Sequence, residues 1–387
     1  MNIPIIVVAY NRDLSLKRLL NSLARAEYGN QKVDLIISID KSQNEKVSEV
    51  ARDFIWKYGE KTVIEHKENL GLKKHVLKCG DFAIDRDAII MLEDDLYVSE
   101  SFYKFATQAV NFYEEDNDIA GISLYTYRVT DFADQRTFTP LQDQNDVFFM
   151  NVPSSWGQIW TKNQWKSFKK WYEENKYELI DYRNLLPEQV LNWGDSSWKK
   201  FFYMYITSEK KYIVYPRIAL STNMGESGTH NVVNSTTYQS LLMGGFTRDY
   251  IFVDVNESKT KYDSFFESEN IVSLLNDQVT IDYYGLKQKF IKTGYLLTTA
   301  KLNYKIVRKW SLSLVPYELN IINNIEGNDI FLYDLSKKTE GNKKVKKIST
   351  QTIKYELPGI TKKKALNITY TEYYAAFIRR MNKMLKK

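Results

Sequence analysis

Three consecutive carboxylates, Glu93-Asp94-Asp95, directly follow the apolar run of residues 88–92. Neighbouring negative charges repel one another, and a hard divalent cation with oxygen ligands supplies the missing counter-charge. Mg²⁺ or Mn²⁺ typically takes one or two protein carboxylates and completes its shell with phosphate oxygens and water. The cluster therefore predicts a metal site that neutralises a diphosphate leaving group. A solvated acidic turn is the alternative that these three residues alone leave open.

Other polar residues also stand where apolar runs end. Tyr10, Asn11 and Arg12 follow the run of residues 3–9, and Asp40 ends the run of residues 37–39. Asp40 could accept a hydrogen bond from the base or ribose of a nucleotide, although Asp is also common in turns. The first of these loops has no G-x-G-x-x-G and the sequence has no P-loop, which argues against dinucleotide oxidoreductases and P-loop NTPases.

The elements that carry these residues alternate between strand and helix patterns. Short β-branched or apolar runs at residues 3–9, 33–39, 63–65 and 88–92 are separated by segments with helical spacing of apolar residues. This alternation predicts a mainly parallel mixed sheet flanked by helices, in the α/β class. Ligands of such sheets bind beyond the carboxyl ends of the strands, so the polar residues named above are expected at one edge.

Composition narrows the classes of function. The 387 residues carry a net charge of +6 and a single cysteine, Cys79, which rules out an intramolecular disulfide and suggests a buried small residue. Residues 337–387 hold 15 Lys and Arg against 3 Asp and Glu, so the rest of the chain has a net charge of −6. A basic end segment favours anionic lipid or an acidic partner over nucleic acid.

Six of the eight tryptophans fall within residues 147–200. Trp160, Trp165 and Trp171 are expected to pack in the core, since tryptophan is largely buried on average. Trp156 precedes Gly157 and is the better candidate for stacking on a sugar.

Several motifs together resemble the nucleotide-sugar half of family 2 and related inverting GT-A glycosyltransferases, over about residues 3–245. They are Pro4-Ile5-Ile6-Val7-Val8-Ala9-Tyr10-Asn11-Arg12, Glu68-Asn69-Leu70-Gly71-Leu72, Leu92-Glu93-Asp94-Asp95-Leu96, Ser154-Ser155-Trp156-Gly157-Gln158-Ile159-Trp160, Trp193-Gly194-Asp195-Ser196-Ser197-Trp198, and Asn223-Met224-Gly225-Glu226-Ser227-Gly228-Thr229-His230. The acidic motif and the Trp193–Trp198 element are similar to those of the N-acetylglucosaminyltransferase I group. The second element departs from that group in its Gly194-Asp195 and the two serines that follow.

The resemblance implies a set of site residues. Asp95 would bind the metal, with His230 within reach of the metal or a phosphate, and Asp195 would be the catalytic base. A helix N-cap is the ordinary role of an Asp in the position of Asp195. The residues implied to bind the donor are Ala9, Tyr10, Asn11, Arg12, Asp40, Gly71, Lys73, Glu93 and Asp94, and those implied to bind the sugar or acceptor are Trp156, Gly157 and Trp193.

From these features we expect a GT-A domain at residues 1–245, with a nucleotide-sugar half at 1–127 and an acceptor half at 128–245, and a C-terminal α+β extension at 246–387. The expected activity is Mn²⁺- or Mg²⁺-dependent inverting transfer of a hexose or N-acetylhexosamine from a nucleotide sugar, with UDP-sugars favoured, to a glycan or lipid-linked acceptor in surface polysaccharide synthesis. The alternative is a non-catalytic nucleotide-sugar or glycan binding module that acts as an assembly factor.

The tail adds an expectation about location. Residues 370–387 place aromatic and aliphatic residues near one helical face beside Lys and Arg, a composition typical of interfacial helices. The first residues show no basic leader or cleavage site. We therefore expect a cytoplasmic protein, peripheral on the inner face of an anionic membrane, with packing on its own core or on a second subunit as the alternative role of this helix.

Overall fold

A computed structural model of the chain describes residues 3–176, 181–226, 237–245, 248–275, 278–287, 291, 293–340 and 350–385. The chain divides into two compact units, Met1–Lys292 and Thr293–Lys387. Within the described residues, none of the helices combines the length and apolar character needed to cross a bilayer.

The first unit opens with strands and helices in alternation. Its first ten elements are β1 (Ile5–Ala9), α1 (Asp13–Arg25), β2 (Leu35–Ile39), α2 (Lys46–Asp53), β3 (Lys61–Glu65), α3 (Leu72–Gly80), β4 (Ala88–Glu93), β5 (Leu96–Val98), α4 (Phe102–Tyr113) and β6 (Ile119–Ser123). The elements that follow are β7 (Val147–Met150), β8 (Gln158–Thr161), α5 (Lys162–Asn175), α6 (Glu188–Leu191), α7 (Trp198–Ser208), β9 (Tyr212–Pro216), β10 (Ser221–Asn223), β11 (Lys261–Tyr262), α8 (Asn270–Leu275) and β12 (Val279–Asp282).

The core of this unit is a nine-stranded sheet in the order β11-β7-β9-β6-β8-β4-β1-β2-β3. The pairs β2–β3, β1–β2, β1–β4, β6–β9 and β7–β11 are parallel, whereas β8 runs antiparallel to both β4 and β6, and β7 to β9. A second, two-stranded antiparallel sheet joins β5 to β10. The predicted mainly parallel mixed sheet with flanking helices is confirmed.

Burial on both faces explains the sequences of the central strands. All five residues of β1 and all five of β2 are buried, so each strand is a continuous apolar run and does not alternate. Helix α1 covers one face with Leu16, Leu19, Leu20 and Leu23, while Leu14 on its opposite side is 75% exposed. This division of α1 follows the 3.6-residue period of a helix on a sheet.

The first unit continues beyond residue 245. Strand β11 pairs in parallel with β7, and the Tyr113 hydroxyl donates a hydrogen bond of 2.8 Å to the Val253 carbonyl. Residues in this stretch therefore complete the edge of the nine-stranded sheet, and the compact unit ends at Lys292. The functional boundary after residue 245 stays a prediction.

The sequence patterns of residues 47–58 and 119–127 predict a helix and a strand that are both longer than those in the structure. Helix α2 ends at Asp53 and not near Tyr58, because Phe54 takes an extended backbone conformation (φ −66°, ψ 127°). The Trp56 ring then packs on Tyr28 with centroids 5.4 Å apart and its indole N–H donates to the Val33 carbonyl. Strand β6 ends at Ser123, before the expected Tyr127.

The second unit combines a small sheet with helices. Its elements are β13 (Tyr295–Thr298), β14 (Tyr304–Trp310), α9 (Tyr317–Ile322), β15 (Ile330–Lys338), α10 (Thr350–Glu356) and α11 (Lys362–Leu385). Strand β15 pairs antiparallel with both β13 and β14. The alternating sequence of residues 330–357 predicts a hairpin around Glu340-Gly341-Asn342. This prediction is wrong for its second strand, since Thr350–Glu356 form α10, and residues 341–342 of the turn lie outside the described residues.

Two histidines meet a serine beneath the end of β2. The Ser38 hydroxyl lies 3.2 Å from His66 Nε2 and 2.8 Å from His75 Nε2. Burial lowers the pKa of His75 from 6.5 to about 4, so this ring stays neutral in the folded protein at neutral pH.

The lowered pKa of His75 predicts a pH-dependent stability. Between pH 6.5 and about 4 the unfolded chain binds a proton at this residue and the folded chain does not, so stability is complete above pH 6.5 and falls as the pH decreases towards 4. We expect the free energy of urea unfolding to fall by about 2 kcal/mol more for the wild type than for His75→Gln between about pH 7.5 and pH 5. Equal pH dependence of the two proteins would contradict this assignment.

Candidate functional site

The acidic turn lies between β4 and β5, at the carboxyl end of the parallel strands. The Asp94 amide donates to the Val8 carbonyl at 3.1 Å, which continues the β1–β4 ladder into the turn. Asp94 Oδ2 in turn accepts a hydrogen bond of 3.3 Å from the Tyr10 amide. The turn is therefore held against the loop that follows β1.

Arg12 joins this loop to two of the acids. Its guanidinium donates to Asp95 Oδ2 at 2.9 Å and to Asp94 Oδ1. Asp94 and Asp95 are buried, and Arg12 is partly exposed. One cation thus bridges two carboxylates, which is a charge-assisted arrangement with defined geometry.

The charges of the turn do not balance. Burial raises the pKa of Asp94 to about 6 in spite of Arg12. The protein atoms around the Glu93 carboxyl raise its pKa strongly as well, and the charges of Asp95 and Asp94 raise it further. Three acids beside one guanidinium leave a site in which ionisation is costly until another cation arrives.

The metal implied by this turn can be tested against its oxygens. Asp95 Oδ1 is buried and has no hydrogen-bond partner, while Oδ2 is held by Arg12. A buried carboxylate oxygen without a donor is suited to a hard cation that takes one or two protein carboxylates. Among the described residues no three His, Cys, Asp or Glu side chains gather as a ligand set, and the predicted ligand His230 lies outside them. The residues present fit a metal held by Asp95 and completed by phosphate oxygens.

Asp40 fixes the loop that leads into α3. Its Oδ1 accepts from the Leu70 amide at 2.8 Å and its Oδ2 from the Gly71 amide at 3.0 Å, while its own amide donates to the Ala9 carbonyl at 2.9 Å. Gly71 has a φ of +74°, a conformation that favours glycine. Asp40 therefore positions the loop, and its carboxylate keeps acceptor capacity for a ligand since each oxygen has two lone pairs.

The segment after β10 is tied to this edge by Met224 and Glu226, and the two partners of Glu226 on α1, Ser15 and Arg18, belong to no sequence motif. The Met224 amide donates to the Asp95 carbonyl at 3.1 Å. Glu226 accepts two hydrogen bonds from Arg18, at 2.5 and 2.8 Å, and another from Ser15. The Arg18 hydrogen bonds lower the pKa of Glu226 to about 2. Arg18 sits on α1 at ordinary helical spacing, so nothing in the sequence marks it as a partner of Glu226.

Trp156 and Gly157 approach the acidic turn from the antiparallel strand. Gln158 of β8 pairs with Met91 of β4, so Trp156, two residues earlier, lies beside the end of β4. Gly157 has a φ of +97°, and a Cβ there would be 2.7 Å from Ser221 Oγ. Glycine is therefore required at this close approach, which leaves the Trp156 ring partly exposed at the sheet edge.

The rings of Trp193 and Trp156 both lie near the Lys199 ammonium group. The Lys199 ammonium lies 5.7 Å from the centre of the Trp156 ring and 5.6 Å from that of Trp193, with Tyr127 at 6.0 Å. Lys199 also forms a 3.0 Å ion pair with Asp131. The predicted sugar-binding tryptophans are thus brought together, around a partly buried ion pair that the sequence reasoning missed.

Asp195 lies in the loop before α7. Its side chain is 87% exposed and forms a 3.2 Å ion pair with Lys200. The N-cap of α7 is Ser197, whose hydroxyl accepts from the Lys200 amide, so an N-cap role for Asp195 is wrong. The open carboxylate remains free to approach a bound acceptor.

Lys73 stands on the first turn of α3, with its ammonium 4.7 Å from the centre of the Phe201 ring of α7. Burial lowers its pKa, and the Asp195 carboxylate opposes that shift. Lys73 therefore lies within the electrostatic reach of Asp195.

The three tryptophans that were expected in the core, Trp160, Trp165 and Trp171, are buried, and so is Cys79.

Comparison with known proteins agrees with this arrangement. Residues 5–180 match the profile of the family Glycosyl transferase family 2. The matched region contains β1 to β8 and with them the acidic turn, Arg12, Asp40 and Trp156. The match supports glycosyl transfer from a nucleotide sugar as the class of activity. No curated protein matches the chain in sequence.

Two kinds of solved structure resemble the chain at low similarity. One is Staphylococcus aureus TarS 1–349 in complex with UDP-GlcNAc, with 15% identity, a TM-score of 0.38, and coverage of 59% of this chain and 60% of that one. The other is the mannosyltransferase PcManGT from Pyrobaculum calidifontis in complex with GDP-Man and Mn²⁺, with 12% identity, a TM-score of 0.33, and coverage of 44% and 46%. Because the alignments span less than two thirds of either protein and identities are this low, their activities do not transfer to this chain.

The Arg12 bridge predicts a measurable loss of stability. Arg12→Met leaves two buried carboxylates without their cation, and we expect it to lower the free energy of unfolding by about 2 kcal/mol in the absence of divalent cations. Millimolar Mn²⁺ is expected to restore part of the loss. Urea denaturation with and without Mn²⁺ measures both effects.

Arg52→Met is the matched control for this experiment. Arg52 also makes two hydrogen bonds to one acid, Glu65, but both side chains are exposed, at 59% and 40%. The control is expected to cost little stability, because both charges are largely in water and their pairing is screened. Similar losses in the two variants, with no response to Mn²⁺, would show that the Arg12 bridge is an ordinary surface pair.

Proposed function

We propose that the chain is a metal-dependent inverting glycosyltransferase that moves a hexose or N-acetylhexosamine from a nucleotide sugar, a UDP-sugar by preference, to a glycan or lipid-linked acceptor. One observation carries this proposal. Asp95 Oδ1 is buried and accepts no hydrogen bond from the described residues, in a turn where the Arg12 guanidinium lies beside three acids. A diphosphate with its cation fits the charge and the ligand set of this turn. Synthesis of a surface polysaccharide is the setting we infer for such an activity.

The residues proposed to bind the donor would contact different parts of it along the sheet edge. Asp40 and the loop at Gly71 lie at the end of β2, where the base and ribose would bind, and Tyr10, Asn11 and Arg12 border the diphosphate. Asp95 would hold Mn²⁺ or Mg²⁺ through Oδ1, and the bound cation would neutralise the diphosphate as it leaves. Arg12 orients the Asp95 carboxylate for that contact through its hydrogen bond to Oδ2.

The acceptor reacts on the opposite side of the sugar from the diphosphate. Asp195 takes the proton of an acceptor hydroxyl, the hydroxyl oxygen forms its bond to the anomeric carbon, and the bond from that carbon to the diphosphate breaks. One carboxylate base and no covalent intermediate invert the anomeric configuration. The open position of Asp195 beside Lys200 allows an acceptor to approach it.

Two variants, tested against one panel of nucleotide sugars, distinguish the enzyme hypothesis from the hypothesis of a non-catalytic binding module. We expect one class of UDP-, GDP-, dTDP- or CMP-sugar to raise the thermal midpoint of the protein in the presence of Mn²⁺, because a ligand that binds the folded state stabilises it. Asp95→Ala should abolish the Mn²⁺-dependent rise, whereas Asp249→Ala, which removes a surface partner of Lys104, should keep it.

Asp195→Asn should keep the thermal shift and lose transfer, by roughly 10²–10⁴-fold if it is the general base. Transfer is measured as release of the nucleotide in the presence of mixed glycan and lipid-linked acceptors. Binding without transfer in the wild type would favour the binding module, and a panel without any shift would contradict both readings.

We further propose that α11 attaches the protein to the anionic inner face of a membrane. Tyr370, Tyr374 and Phe377 lie along one side of this helix and are 74%, 58% and 58% exposed. By sequence, residues 337–387 have a net charge of +12. Exposed aromatic residues beside basic ones suit the headgroup region of an anionic bilayer.

Vesicle co-sedimentation tests this attachment. The wild type should bind vesicles that contain anionic phosphatidylglycerol and not neutral phosphatidylcholine vesicles, and the triple variant Tyr370→Ser, Tyr374→Ser, Phe377→Ser should lose most of the binding. Leu241→Ser, at an apolar residue of the first unit that is 68% exposed, is the matched control. Unchanged binding of the triple variant would exclude this role, and its loss of self-association in light scattering would point to a second subunit.

A further inference from the structure

Asp131 lies in the loop between β6 and β7, and no sequence motif includes it. Its side chain is 9% exposed and its Oδ2 accepts two hydrogen bonds, from Lys199 Nζ at 3.0 Å and from the Tyr127 hydroxyl at 3.1 Å. No described residue donates to Oδ1. One oxygen of this carboxylate is therefore fixed, and the other is oriented and open.

Aromatic rings surround the ion pair. The Lys199 ammonium is within 6.0 Å of the ring centres of Tyr127, Trp156 and Trp193. Trp156 and Trp193 each keep part of their ring exposed, whereas Tyr127 is buried. Partly exposed indole rings beside an open carboxylate oxygen have the two chemistries that a sugar needs, an apolar face for its C–H groups and an acceptor for its hydroxyls.

The position of this cluster relates it to the donor. Trp156 lies beside the end of β4, and the Lys199 charge acts on the Glu93 carboxyl and lowers its pKa against the larger effect of burial. The cluster thus adjoins the acidic turn on the side of the antiparallel strand β8. A sugar attached to a diphosphate at Asp95 would extend to this side.

The ion pair is partly buried, with 15% of the Lys199 side chain and 9% of the Asp131 side chain exposed. Partial removal of two charges from water is unfavourable, and an apolar pair of similar volume would often be as stable. Asp131 and Lys199 are 68 residues apart in the chain and lie in different elements, so local structure does not require them to pair. The pair orients Asp131 Oδ1.

We propose that Asp131 binds a hydroxyl group of the donor sugar while the sugar ring lies against Trp156 and Trp193, and that Lys199 and Tyr127 position Asp131 for this contact. The inference rests on the proposed transfer from a nucleotide sugar. It assigns to Asp131 a role in recognising the sugar, separate from the metal and from the base.

The experiment compares the affinity of a nucleotide sugar with that of its parent nucleoside diphosphate. Both are titrated by calorimetry in Mn²⁺ with the base that the ligand panel selects, for example a UDP-sugar and UDP. Asp131→Asn should lower the affinity for the nucleotide sugar roughly 10-fold or more, because a hydrogen bond to a charged acceptor is lost. The affinity for the nucleoside diphosphate should stay within about 2-fold of the wild-type value.

Asp81→Asn is the matched control. Asp81 also accepts from a lysine and from an aromatic side chain, with Lys169 Nζ at 3.2 Å and the Trp165 indole N–H at 2.9 Å, but it follows α3 and lies outside the cluster. This variant should leave both affinities unchanged. A loss of sugar affinity in Asp131→Asn alone would thus report the site and not the removal of a lysine partner.

Tyr127→Phe keeps the inference testable should Asp131→Asn fail to fold. It removes the hydroxyl that orients Asp131 and retains the ring, so nucleotide-sugar affinity should fall roughly 3-fold with the diphosphate unchanged. An unchanged ratio of the two affinities in both variants would overturn the role of Asp131 while leaving the transferase proposal intact. Failure of the wild type to bind any nucleoside diphosphate would overturn the transferase proposal and this inference together.

Discussion

The ion pairs from Arg12 to Asp94 and Asp95 are the interaction on which the site depends. They connect the loop after β1 to the turn after β4, so the ends of two adjacent parallel strands share one charge network. Both carboxylates are buried, and the guanidinium that pairs with them carries one positive charge beside three acids. The fold therefore maintains an excess of negative potential at a defined place, which is a condition for binding a cation together with a polyanionic ligand.

The donor side could be predicted because its residues belong to local patterns. Each polar residue follows an apolar run, and a parallel sheet places the carboxyl ends of β1, β2 and β4 at one edge. The contacts of Asp40 with the Gly71 loop and of Arg12 with Asp95 are consequences of that topology. Their detailed geometry was beyond the sequence, since strand order alone does not determine which side chains meet.

The sugar side could be predicted only in part. Trp156 stood out because a glycine follows it, and the structure shows why that glycine is needed, at a φ of +97° against Ser221. Asp131 and Lys199 gave no signal, because a loop aspartate and a helix lysine are ordinary surface residues until the fold buries them together. The predicted end of α2 was wrong for a similar reason. Phe54 leaves the helical conformation, and the aromatic residues after it pack near Tyr28. This is a tertiary effect that helix propensity does not contain.

Asp95 and Asp131 show the same arrangement at two places near the end of β4. In each residue a basic side chain holds Oδ2, Arg12 in one and Lys199 in the other, and no described residue donates to Oδ1. A carboxylate held in this way is oriented before a ligand arrives, so little freedom would be lost when the ligand binds. The two basic residues differ in a way that suits the ligands: the flat guanidinium spans two acids beside a prospective metal, whereas the compact ammonium lies among aromatic rings that a sugar could share. Under the two proposals, the Arg12 pair would serve the recognition of charge and the Lys199 pair the recognition of the sugar, within one sheet edge.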